Sequence, residues 1–423
     1  MHIFILCDFG DVNGGAAKVA ISSARGLAEA GIAVTYVCAI GPVSVLLDHP
    51  RITVHCLNFG NVWGRRNPAG AAVQAIWNQA ARKALFAILD DAPVGGAIVH
   101  IHQWTKAFSP SVLDGAARRG LPTVVSLHDY FIACPNGAYY NYGKAAICRL
   151  KPMSASCVAS NCDRTSYGHK LVRVARQWAT GFALARAGKA LAFVSVSPLA
   201  ERVIDRYLAP NHARFVVRSP IEVSKAEPVA VGDNAQFLFV GRLTEEKGVR
   251  LLATAARDAG LPLTIVGDGP LLEELSRLGG AIRCAGWLDG AGVDQAMRQA
   301  RALIFPSTWH ETGGLVVLEA LARGIPVIVS RVTAPVDFIE DGVNGFIVDP
   351  EDRAALLDRM RILGDDAVAR RMGAQAYERY WGDPQDSARH TNDLLSAYRA
   401  MMPGHDTPPD DRERSDAALL GAA

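Results

Sequence analysis

At 423 residues the chain exceeds one ordinary domain and is long enough for two cores of about 200 residues each. Half of its residues are hydrophobic and a fifth charged, a balance that excludes disordered and fibrous chains. With 44 Lys and Arg against 42 Asp and Glu the net charge is +2, and no aromatic-rich basic module points to nucleic acid as a partner.

The first eight residues place a short apolar run before Asp8 with no basic stretch ahead of it, which reads as a strand rather than a secretory signal. No window of 18 apolar residues is present, so a cytoplasmic protein without a transmembrane helix is expected. Apolar runs over 3–7, 34–39, 52–57, 97–101, 123–127 and 191–196 read as buried strands, with amphipathic helices over 16–30 and 71–89. A second series has strands over 237–240, 263–266, 282–285, 303–305 and 327–329. Alternation of this kind predicts two α/β domains with doubly wound parallel sheets. The expected boundaries are 1–219, a linker over 220–235 with Pro228 and Gly232, a second domain over 236–382, a helix over 383–402 returning to the first domain, and a disordered tail over 403–423. Open sheets bind ligands at the carboxyl ends of their strands, so two facing sheets define one cleft.

Three stretches of the second half carry chemistry. Gly241-Arg242-Leu243-Thr244-Glu245-Glu246-Lys247-Gly248 follows a strand, and Arg242 and Lys247 are placed to neutralise a diphosphate; the plain alternative is a solvated basic loop. Gly267-Asp268-Gly269-Pro270 ends another strand with two glycines that admit a close ligand, or simply make a tight turn. In Phe305 to Val327 a strand runs through a polar loop into a helix expected from Gly313, where the amides of Gly314 and Leu315 are free to meet an anion. Glu311 lies in that loop and Glu319 about two turns inside the helix, where it needs a partner such as ribose hydroxyls or an arginine.

These stretches, in this order, resemble the GT4-type retaining glycosyltransferases (glycosyl transferases group 1). Glu311 and Glu319 stand as that family's E-x7-E, and Asp341-Gly342-Val343-Asn344-Gly345-Phe346 is similar to its last strand entry. Asn13-Gly14-Gly15 resembles its first glycine loop, and His128-Asp129 its histidine-aspartate step. The resemblance covers essentially 1–402 and implies a GT-B fold of two facing Rossmann-like domains. It implies that Gly14 and Gly15 clear room for the donor diphosphate, that Arg242 and Lys247 stabilise the departing nucleotide, that Glu311 and His128 contact the transferred sugar, and that Glu319 takes the ribose. The family often has Glu-Arg after the paired glycines and Gly-Phe-Gly after the first glutamate, where this chain has Ala17-Lys18 and Thr312-Gly313-Gly314. A nucleotide diphosphate sugar, UDP- or GDP-linked, is the implied donor, and a carbohydrate or lipid-linked acceptor the second substrate. No Asp-x-Asp metal motif occurs, and no cofactor is expected for catalysis. The competing readings are a nicotinamide-dependent Rossmann enzyme, a nucleotide-sugar epimerase, a sugar phosphorylase and a non-catalytic sugar-nucleotide-binding subunit.

Two further expectations concern the first half. Cys134, Cys148, Cys157 and Cys162 crowd into an insertion over 130–165 that lacks its own apolar core, which suggests a structural zinc, against isolated thiols or a redox pair. Over 167–186, His169, Lys170, Arg173 and Arg176 recur at helical spacing, a cationic stripe suited to peripheral contact with the inner face of a membrane. The alternative is a surface helix that packs its apolar face on the sheet.

Overall fold

A computed structural model describes residues 1–63, 67–93 and 95–402. The expected disordered tail over 403–423 lies outside the described residues. The strands, in chain order, are β1 (His2–Phe9), β2 (Ala33–Ile40), β3 (Ile52–Cys56), β4 (Ala97–Gln103), β5 (Thr123–Leu127), a two-residue hairpin of β6 (Tyr140–Asn141) and β7 (Ala146–Ile147), β8 (Leu191–Ser195), β9 (Ala213–Val216), β10 (Gln236–Val240), β11 (Leu263–Val266), β12 (Ile282–Gly286), β13 (Ala300–Phe305), β14 (Val327–Ser330) and β15 (Gly345–Val348). The first sheet is ordered β3-β2-β1-β4-β5-β8-β9 and the second β12-β11-β10-β13-β14-β15, all parallel. Both are covered on two faces, which explains why β1, β4 and β13 read as continuous apolar runs rather than alternations.

The two sheets reverse direction of winding between β1 and β4 and between β10 and β13. The connections leaving those four strands therefore border the crevice where an α/β sheet binds its ligand. Helix Gly15–Glu29 follows β1, with Gly14 at φ 100° as its cap and the Ala17, Ile21, Ala24, Leu27 face on the sheet. The helix Ser387–Met401 returns to this same face: Leu394, Leu395 and Tyr398 join the first domain's core, and His390 Nε2 meets Ser23 Oγ at 2.8 Å. At their crossing Gly26 is required, because a Cβ there would stand 2.3 Å from Thr391 Oγ1.

Three elements differ from the sequence reading. The expected helix over 71–89 is two helices, Pro68–Ile76 and Gln79–Leu89. Its apolar period runs through the break, but buried Asn78 caps the second helix by accepting from Ala81 N and donates Nδ2 to Ala107 O at 2.8 Å, and that tertiary tie outweighs the local pattern. Strand β9, only four residues with an arginine inside, and the short hairpin were not foreseen. The stretch over 220–235, expected as the linker, is tied down by backbone bonds, with Val229 N donating to Arg323 O and Ile221 N to Gln385 O at 2.8–2.9 Å.

Candidate active site

On the second domain's side, the loop after β10 brings Lys247 into a part-buried position at the end of a short turn, and Gly248, at φ 68°, starts helix Val249–Asp258. A side chain at 248 would put Cβ 2.1 Å from Pro306 O, so glycine locks this loop against the one leaving β13. Lys247 Nζ there donates to Glu311 Oε1, and Ser307 Oγ donates to Glu311 Oε2 at 2.8 Å. The ammonium also stands 5.8 and 5.7 Å from the Phe305 and Trp309 rings. Arg242 is exposed, and among the described residues it pairs with no carboxylate. Gly267 and Gly269 meet the same loop from β11: a Cβ on either would fall on Gly241 O or Leu243 O, so their bareness already has a packing cause. The helix after Glu311 is Leu315–Leu321, with Gly314 as cap at φ 97° and nothing crowding Gly313. It is shorter than expected, and Glu319 sits little more than one turn inside it.

On the first domain's side, Gly14 and Gly15 border open space in which a Cβ would meet nothing within 4 Å. His128, after β5, shares a 3.0 Å hydrogen bond between its Nε2 and Nδ1 of His102 at the end of β4. Burial pushes His128 down to about 3, with the His390 charge adding, so its ring is neutral at ordinary pH. His102 is buried and its own Nε2 has no partner. A buried bare lone pair costs less than a buried unmade N–H, so His102 carries its proton on Nδ1 and donates to His128. His128 is then the Nδ1–H tautomer and offers a donor on its other nitrogen. The neighbouring Asp129 is pushed up to about 6 by burial, against the pull of the Phe131 amide, Arg176 and Lys106.

Contacts across the crevice join the two sides. Thr312 Oγ1 donates to His128 O at 2.7 Å, which sets the Glu311 loop directly against the histidine. Lys18 Nζ, in the first turn after Gly14-Gly15, lies 3.5 Å from Glu319 Oε1. Glu319's charged partner is thus a lysine from the opposite domain rather than a nearby arginine. Arg164 of the cysteine-containing insertion binds Glu246, next to Lys247. His102, Lys18, Thr312 and Arg164 were not singled out as site residues. Lys18 and Thr312 carried a signal, as the departures from Glu-Arg after the paired glycines and from Gly-Phe-Gly after the first glutamate.

The clustered cysteines and the basic helix are the two further expectations, and the second is corrected. The four cysteines are free, and two of their sulfurs flank a lysine: fully buried Lys170 Nζ stands 3.2 Å from Cys162 Sγ and 3.6 Å from Cys157 Sγ. Cys134 instead bonds Asn136 Oδ1, and burial pushes its thiol up to about 11. Among the described residues no group of three or more His, Cys, Asp or Glu side chains is placed to hold a metal ion. The cationic stripe also points inward. On helix Tyr167–Ala187, Lys170 and Arg176 are buried and Arg173 reaches Asp163 Oδ2 at 3.2 Å. Arg176 Nη1 donates to Thr105 O at 3.3 Å, and burial, with the Arg173 charge adding, holds its guanidinium down at about 9. Lys170 and Arg176 are thus held inside the protein and Arg173 is only 16% exposed, so the stripe does not present an outward cationic face.

Two parallel α/β domains with a cationic and carboxylate pair at one switch point and a neutral histidine at the other define a GT-B glycosyltransferase architecture. Solved structures agree on the fold: sucrose-phosphate synthase of Thermosynechococcus elongatus superposes with a TM-score of 0.70 over 96% of this chain and all of that one, at 19% identity. Anabaena HepE, solved with UDP and glucose, gives a TM-score of 0.64 over 94% and 99% at 16% identity. The family models match as a glycosyl transferase 4-like domain over residues 14–220 and glycosyl transferases group 1 over 220–379. The chain belongs to the group 1 glycosyltransferase family. It is 31% identical over 310 residues to a glycogen synthase of Mycobacterium tuberculosis, across 66% of this chain and 71% of that protein. It is 30% identical over 185 residues to the lipopolysaccharide core glycosyltransferase LpsE of Rhizobium meliloti, across 42% of this chain and 52% of that one, so only about half of LpsE is spanned. These relatives carry transferase names, which lends the epimerase reading no support.

Proposed function

We propose that the protein transfers a sugar, with retention, from a nucleotide diphosphate donor to a carbohydrate acceptor, in surface polysaccharide or glycolipid synthesis at the inner face of a membrane. The observation that carries this reading is the Lys247–Glu311–Ser307 constellation facing His128 across the crevice. Cleaving the anomeric bond develops negative charge on the diphosphate and oxocarbenium character on the sugar, so fixed positive groups at the leaving side lower the barrier. Lys247 and exposed Arg242 supply that charge, Gly14 and Gly15 leave room for phosphates, and neutral His128 donates to a sugar or phosphate oxygen. Glu319 takes the ribose, releasing Lys18. Retention follows from attack on the face that the phosphate leaves, the phosphate oxygen taking the acceptor's proton. A UDP donor is favoured by the HepE complex and a GDP donor by the relatedness to a GDP-mannose-dependent mannosyltransferase of Corynebacterium glutamicum, 34% identical over 141 residues that cover 33% of this chain and 34% of that one. A thermal-shift screen of UDP, GDP and ADP and their sugars tests it: a bound donor at 100 times its Kd stabilises by about 2.7 kcal/mol. Absence of any shift across the panel, or an unaltered transfer rate in Glu311→Gln, overturns the reading.

A further inference from the structure

Helix Tyr167–Ala187 is built inside out. Its inward face carries Lys170, Arg176, Gln177 and Thr180, while its outward face sets Leu171, Trp178 and Phe182 seven and four residues apart, at 45%, 73% and 53% exposure. That spacing puts the three on one side of a 3.6-residue helix. The adjoining helix Pro68–Ile76 has no charged residue and presents Val73, 68% exposed, while Trp77 at its end stands edge-on to Phe182 with centroids 6.3 Å apart. A soluble surface scatters single large apolar residues; here several gather on two packed helices with the polar side chains turned away.

We propose that this face docks on an anionic lipid bilayer. The charge around it selects the occupant. From 49 to 89 and from 164 to 200 the sequence has no Asp or Glu, and within those segments Lys83, Arg186 and Lys189 are exposed. The Arg186 guanidinium stands 5.3 Å from the Phe182 ring, at the edge of the apolar surface, and is already paired with buried Asp114 at 3.0 Å, so the exposed charge offered to headgroups is that of Lys83 and Lys189. A second copy of the chain would set these acid-free segments and their lysines against themselves, whereas acidic headgroups complement them. Trp and Phe suit the boundary between headgroups and acyl chains, and among the described residues no helix is long and apolar enough to cross a membrane; the docking proposed is peripheral. The attracting charges are not Lys170, Arg173 and Arg176, which are held within the protein. The proposal deepens the reading of a lipid-borne acceptor, and its physics stands on the surface alone.

The test is co-sedimentation of the full chain with vesicles of phosphatidylglycerol and phosphatidylcholine, and with phosphatidylcholine alone. The wild-type protein is expected to pellet with the anionic vesicles, less at high salt, and Trp178→Ser with Phe182→Ser to lower the bound-to-free ratio at least tenfold. Wild-type protein that stays in the supernatant with both vesicles overturns the proposal, as does a double variant that binds unchanged. Light scattering that shows a dimer broken by the same variant, without vesicle binding, assigns the face to a second copy and also overturns it. Both positions are exposed, and circular dichroism checks the fold; should the variant melt out, quenching of wild-type tryptophan emission by brominated lipid replaces it, absence of quenching being the negative result. Nucleotide-sugar thermal shifts in the same preparation separate failure of docking from failure of the transferase reading.

Discussion

Changing Glu311 to Gln removes the charge that neutralises Lys247 but keeps an oxygen for Ser307 Oγ to bond. Both ionic side chains are nearly buried, Lys247 at 11% and Glu311 at 12% exposure. Breaking a buried pair costs about 3–5 kcal/mol because it strands one charge. The Phe305 and Trp309 rings near Lys247 Nζ recover about 0.5–1 kcal/mol, and water entering from the crevice recovers more, leaving about 2 kcal/mol. For domains of this size that is a fall in Tm of about 4–8 °C. A bound nucleoside diphosphate supplies the missing anion, so the variant should bind UDP or GDP more tightly, about tenfold for each 1.4 kcal/mol of attraction transferred, while sugar transfer falls by about 100-fold or more. Differential scanning fluorimetry and isothermal titration measure the two effects at a temperature where both proteins are folded. Unchanged melting together with unchanged nucleotide affinity would refute the idea that Glu311 and Lys247 are coupled at the donor's phosphates.

Removing the second imidazole with His102→Phe should lower turnover about tenfold with little change in donor Kd, because it frees the His128 tautomer without touching substrate; His102→Gln, which can still donate, should recover part of the loss. Acid should melt the protein steeply. Burial holds His100 and His102 well below the usual histidine range, His128 at about 3 and His390 at about 4, so below pH 6.5 the unfolded chain binds more protons and stability falls by up to about 1.4 kcal/mol per pH unit per histidine. Asp129, raised to about 6, works the other way between about pH 4 and 6, where the folded state binds its proton more tightly, and Asp8, also raised by burial, acts in the same sense, but these are two groups against four. A Tm that is flat from pH 7 to 5 would contradict the neutral histidine cluster. Gly248→Ala should destabilise by about 3 kcal/mol, read by urea titration, since its Cβ meets Pro306 O in a backbone region that favours glycine. Metal analysis of protein purified without chelator tests a structural zinc at Cys134, Cys148, Cys157 and Cys162: a full equivalent supports the site, and no stoichiometric metal removes it.

The sheets were legible because both faces of each strand are buried and leave unbroken apolar runs. The ends of those runs also located the loops that carry Arg242, Lys247, Glu311 and His128, since sheets of this kind hold ligands there. What the sequence did not show is partnership across the crevice. Lys18 and Glu319 are 301 positions apart and meet only once the domains face each other. His102 looks like any polar residue ending a strand until the register of β4 and β5 brings it to His128. The helix over 167–187 misled for a physical reason: helical spacing reveals two faces but not which one turns inward, and buried Asp163 together with the cysteine sulfurs drew the basic face into the protein. A similar tertiary demand at Asn78 divided a periodic stretch in two.

The most direct measurement follows the anomeric carbon. With the UDP- or GDP-sugar that gives the largest thermal shift and an oligosaccharide or lipid-linked acceptor, nuclear magnetic resonance of the product reads the configuration of the new bond, and a coupled assay reads nucleoside diphosphate release. Retaining transfer predicts a product with the donor's own anomeric configuration, stoichiometric diphosphate release, and loss of both in Lys247→Ala. An inverted product, or diphosphate release that persists undiminished in Lys247→Ala, would contradict it.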